Sequence, residues 1–93
     1  MSYEFKIQIK NKTQNEHILD TIYDSFKEVD LLKNARIEDD KIIVPELWMN
    51  LSKESDNEIY YVISAHREER ELVCRTISNA LEKIYIDFTC EEE

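Results

Sequence analysis

The chain has 93 residues, 21 acidic against 12 basic, and a formal net charge of −9. That balance excludes the basic footprint that direct binding of nucleic acid or an anionic membrane surface requires; it fits either a basic protein partner or plain solubility. With no glycine anywhere, the Walker loop, the dinucleotide fingerprint and the nucleophile elbow are excluded too, and turns fall to Asn, Asp and Ser.

The length suits one domain spanning 1–93, with a modest core that buries roughly 60–65% of the unfolded surface. Hydrophobic residues make up 42% and are patterned, so a folded state is expected. Residues 3–10 alternate, with Tyr3, Phe5, Ile7 and Ile9 on one side and Glu4, Lys6, Gln8 and Lys10 on the other, which predicts a strand with one wet face. Thr13 and Glu16 have capping-box spacing, and Ile18, Leu19, Ile22, Tyr23, Phe26 and Val29 recur at helical period, predicting a helix that ends near 30–34. Residues 35–38 and 41–44 predict a hairpin about Asp39-Asp40, with Pro45 ending the second strand or confining it to an edge. Leu47, Trp48, Met49 and Leu51 follow without an assignable element, and 52–58 reads as a polar loop.

Residues 59–63 are apolar on both faces, as in a central strand, and Ser64 is placed to cap a second helix over 67–84. On that helix Val73, Ile77, Ala80, Leu81 and Ile84 form the core stripe. Residues 85–90 alternate again, and Glu91, Glu92 and Glu93 are expected to be a frayed tail. The predicted order is β-α-β-β-β-α-β. It implies an α+β two-layer sandwich, a mostly antiparallel sheet with two helices on one face, in the manner of a ferredoxin-like split βαβ with one added strand.

No pattern assigns catalytic chemistry, a metal or a cofactor. His17 and His66 each open a helix without a second His or Cys at ligand spacing. Cys74 and His66 lie eight residues apart, about 12 Å along a helix, beyond hydrogen-bond reach. Cys74 and Cys90 are expected as reduced, buried core thiols, without a secreted-type framework. The start Met1-Ser2-Tyr3-Glu4 lacks a signal-peptide signature, and no apolar run approaches the ~18 residues that span a bilayer, so a cytoplasmic protein is expected.

The acidic residues carry the functional expectation. Glu16, Asp20, Asp24 and Glu28 stand four apart, a carboxylate row with a charge about every 6 Å, although each like-charge pair costs a few tenths of a kcal/mol. Glu38, Asp39 and Asp40 add a second cluster. In size, charge, lack of glycine and these two carboxylate runs, the chain resembles phage DNA-mimic anti-restriction proteins of the Arn type, which occupy the DNA-binding cleft of a nuclease. The resemblance implies a non-enzymatic inhibitor acting in the host cytoplasm, whose partner is a nuclease or other basic nucleic-acid-binding protein. Glu16, Asp20, Asp24, Glu28, Glu38, Asp39 and Asp40 would then stand in for phosphates. A toxin-immunity protein plugging a basic nuclease toxin would share that mechanism of steering and occlusion. A small structural or regulatory homodimer is the other alternative; Trp48, Tyr60, Val62 and Tyr85 are its candidate face, on the side of the sheet without helices.

Overall fold

A computed structural model describes residues 1–10 and 17–93. The described residues form six strands and two α-helices: β1 (Tyr3–Ile9), α1 (Ile18–Lys27), β2 (Arg36–Glu38), β3 (Lys41–Val44), β4 (Met49–Ser55), β5 (Glu58–Ile63), α2 (Arg67–Lys83) and β6 (Phe88–Glu92). Single 3-10 turns at Asp30–Leu32 and Pro45–Leu47 break the connections. The strands make one open sheet in the order β2-β3-β4-β5-β1-β6, antiparallel at every junction.

Pairing sorts side chains onto two faces, since residues directly opposite share a face. One face carries the row Ile42, Leu51, Tyr61, Phe5 and the row Lys53, Ile59, Ile7, Cys90. Its apolar members join Ile18, Ile22 and Phe26 of α1 and Val73, Ile77, Ala80 and Leu81 of α2 in a single core. Both helices therefore cover the same face. Phe5 stacks on Tyr61 with ring centroids 4.9 Å apart.

The fold is the expected α+β, with departures that have physical causes. The expected order had five strands; β4 is the sixth. Met49–Ser55 contains Lys53, Glu54 and two serines, a composition typical of loops, yet it pairs with β3 on one edge and β5 on the other. Helix α1 stops at Lys27, three residues short of the expected range, and Val29 is already extended. The expected Thr13–Glu16 capping box lies outside the described residues. Helix α2 is capped at His66 instead of Ser64: the Glu69 carboxylate accepts the His66 backbone N–H at 3.0 Å, while the Ser64 hydroxyl donates to the Met1 carbonyl at 3.0 Å. The tail is ordered. Glu91 and Glu92 pair with Lys6 and Phe5, and the Glu93 N–H donates to the Glu4 carbonyl at 2.8 Å.

Without glycine, the positive-φ positions among the described residues fall to Asp39 (51°), Asp40 (61°), Trp48 (48°) and Tyr85 (60°). The first two form the two-residue β2–β3 loop, where a type I′ turn needs positive φ at both central residues and Asp tolerates it better than branched or bulky residues.

Candidate functional site: the acidic surface

Helix α1 buries Ile18, Ile22 and Phe26 and leaves Asp20, Asp24 and Glu28 exposed on the opposite side. Helical rise spaces these carboxylates about 6 Å apart along the axis. Glu16, the fourth member of the expected row, lies outside the described residues. Glu38, Asp39 and Asp40 are exposed at the β2–β3 turn. The fold joins the two clusters: Asp20 and Asp40, with Leu19 and Lys53, line one cleft of about 290 Å³. Lys53 is the cation of that cleft, and its ammonium also stands 3.8 Å from Asp56.

A second acidic region was not anticipated. The sheet face without helices carries Glu4, Lys6 and Gln8 on β1, Glu58 and Tyr60 on β5, and Glu91 on β6. Lys6 bridges Glu58 at 3.3 Å and Glu93 at 3.4 Å, and these carboxylates hold its ammonium above the ordinary value. The Tyr60 hydroxyl donates to Glu4 at 2.5 Å, which holds the phenol above its ordinary value. Alternation in β1 already pointed Glu4 and Lys6 to this face; what sequence concealed was the acidic tail continuing β6 beside them.

The four candidate dimer residues are not gathered on one patch. Tyr60 and Val62 lie half-buried on the open face, level with Lys6 and Glu4. Trp48 is 79% exposed beside Ser64 and Arg67, at the Tyr3 end of β1, in a groove of about 700 Å³. Tyr85 is 88% exposed near the other end of β1, where Lys10 donates to the Asp87 carbonyl. The length of β1 separates these two aromatics by roughly 20 Å.

The cysteines are half-buried rather than fully buried. Among the described residues, no group of three or more His, Cys, Asp or Glu side chains is arranged to hold a metal ion, and no helix is long and apolar enough to cross a membrane.

Fold and surface together define a small α+β domain that presents carboxylates on both helices, on one hairpin turn and on the open sheet face. Compared with known proteins, the chain matches no family model, no curated protein and no solved structure.

Proposed function

We propose that this protein is a non-enzymatic acidic inhibitor that binds and occludes the basic nucleic-acid-binding site of a nuclease or another DNA-binding protein, in the manner of a DNA mimic. The observation that carries this reading is the convergence of Asp20 and Asp40 on one cleft, which makes the α1 row and the hairpin turn neighbouring parts of one surface. A phosphate-reading site is lined with Lys and Arg, and carboxylates presented from several elements offer the complementary potential and steer encounter. Each strand of B-DNA presents a charge every ~3.4 Å along its axis, denser than one helix row, so contributions from more than one element are what a mimic requires.

The same reading takes the fold as a ferredoxin-like variant. The order β4-β5-β1-β6, with α1 after β1 and α2 after β5, supports it, and β2–β3 would be a hairpin added beyond β4.

The test is capture of partners by the tagged protein across a salt series, followed by competition with duplex DNA. The expected result is a basic nucleic-acid-processing protein whose capture falls steeply with salt and is displaced by DNA, and whose capture is lost by a variant with Lys at positions 20, 24 and 28. A partner held at a site that DNA does not contest would make the protein an immunity-type inhibitor. Unchanged capture by the triple-Lys variant would remove the proposed surface. Recovery of only the protein itself, as a concentration-dependent dimer, would replace the reading with the structural alternative.

A further inference from the structure

Trp48 is the single tryptophan of the chain, and it is 79% exposed. Its backbone is left-handed, at φ 48° and ψ 39°, where a side chain costs energy that glycine avoids. Two hydrogen bonds fix it there: the Trp48 N–H donates to the Pro45 carbonyl at 3.1 Å, and the Ser64 N–H donates to the Leu47 carbonyl at 3.0 Å. Among the described residues, no ring contact or cation engages the indole. A large ring is thus held outward on a pinned and strained backbone, and the fold gains little packing from it. The indole lines the groove of about 700 Å³ beside the start of α2, a size typical of small-molecule sites.

Arg67 and Arg70 line the same groove. Arg70 is half-buried. Its guanidinium lies over the Tyr3 ring, with Cζ 3.7 Å from the centroid, and its Nη1 donates to the Ala65 carbonyl at 2.9 Å. These contacts fix its position without neutralising it. The chain has 21 acidic residues, yet no carboxylate among the described residues forms an ion pair with Arg70. The two carboxylates of the groove each hold another donor: Glu46 accepts from the Asn34 amide at 3.2 Å, and Glu69 accepts the His66 N–H at 3.0 Å. Arg67 turns its Nε to Glu71 at 3.1 Å. A partly desolvated guanidinium without a counter-ion is costly, and an arriving oxyanion relieves that cost.

We infer that this groove binds a small aromatic acid, whose planar ring stacks on Trp48 and whose single carboxylate or phosphate group is held by Arg70 with Arg67 beside it. A guanidinium is a planar fork of N–H donors that matches either oxyanion, and the Ala65 carbonyl takes only one of those donors. The indole supplies the flat face on which a ring stacks. The net charge of −9 repels a polyanion, so the groove selects one anionic group and not a nucleic-acid strand. Strand β3 separates Trp48 from Asp40, so this site is distinct from the acidic cleft and does not depend on the inhibitor reading.

The experiment titrates the intact protein with phenyl phosphate, benzoate, benzyl alcohol and inorganic phosphate, and follows the fluorescence of the single tryptophan. The expected result is saturation by phenyl phosphate or benzoate at a concentration at least about tenfold below that needed for benzyl alcohol or inorganic phosphate. The tighter of the two acids identifies the oxyanion as phosphate or carboxylate. Arg70→Gln should raise the half-saturating concentration of the acids about tenfold and leave that of benzyl alcohol unchanged, a split that a distorted groove would not give. Trp48→Gly suits the left-handed backbone, so it should stay folded by circular dichroism and weaken binding of the acids by at least about tenfold in calorimetry. Benzyl alcohol bound as tightly as the acids would remove the oxyanion site, and inorganic phosphate bound as tightly as phenyl phosphate would remove the ring site. No saturable change with any probe up to about 10 mM, or unaltered binding by a folded Trp48→Gly protein, would overturn the inference.

Discussion

Tyr85 donates its backbone N–H to the Glu82 carbonyl at 3.1 Å from the left-handed region, at φ 60°. The next amide, Ile86, donates to Leu81 at 3.1 Å, and the Ile86 and Leu81 side chains are both buried. Together these are the two bonds of a Schellman motif, with its two apolar positions buried, and its C′ position ordinarily belongs to glycine. A tyrosine there carries the Cβ–carbonyl conflict that glycine lacks. Tyr85→Gly should therefore stabilise the protein, by about 0.5–1 kcal/mol after the added freedom of the unfolded chain is deducted. Urea denaturation with an unchanged m-value checks this; a loss of stability would mean that the exposed ring contributes more than the backbone conflict costs.

Tyr61 is a second residue whose removal should not harm the fold. Its ring stacks on Phe5, while its hydroxyl is buried without a hydrogen-bond partner. Tyr61→Phe keeps the ring and removes a desolvated polar group, so the expected change is neutral to about 1 kcal/mol stabilising. Burial, reinforced by the two thiols, holds the phenol protonated far beyond its ordinary value of 10.0. Below pH 10 the folded and unfolded states bind this proton alike, and the contribution is fully present. As pH rises past 10 the unfolded chain releases the proton while the folded chain retains it, so stability falls, by at most about 1.4 kcal/mol per pH unit from this group. Comparing alkaline stability curves of the two proteins isolates the contribution; parallel curves above pH 10 would show that Tyr61 ionises normally in the fold.

Much of this architecture was legible in the sequence because the period was strong. Strict alternation placed Ile7 and Ile9 in the core, and the stripe of α2 placed Val73, Ile77, Ala80 and Leu81 there. What stayed hidden depends on partners distant in the chain. Strand β4 reads as a loop because only Met49 and Leu51 are apolar, and its extended form is imposed by neighbours on both edges. Nothing local forecast that Trp48 would adopt positive φ. The acidic row along α1 was legible from its spacing, but its meeting with the turn was not, because Asp20 and Asp40 approach only when β3 comes alongside α1.

The hidden strand supplies its own test. Ser52 stands opposite Lys41 on one side and Tyr60 on the other. Proline there removes a ladder donor and clashes within a central strand, so Ser52→Pro should cost about 3 kcal/mol or more. In an unpaired loop the same change would fall within about 1 kcal/mol. Thermal unfolding separates the two outcomes.

The cleft shared by Asp20 and Asp40 separates a surface kept for stability from one kept for a partner. Lys53 shares the cleft with the two carboxylates and pairs with Asp56 at 3.8 Å, while His17 Nδ1 stands 3.5 Å from Asp20. Both carboxylates are exposed, and exposed charge pairs contribute at most about 1 kcal/mol. Asp20→Asn combined with Asp40→Asn should therefore leave thermal stability unchanged or raise it by a few tenths of a kcal/mol. The same double variant should weaken capture of a basic partner and flatten its salt dependence, because two counter-charges have been withdrawn from the encounter. A protein that keeps its partner and its salt slope, yet loses stability, would show that these carboxylates serve the fold through Lys53 and face no basic partner.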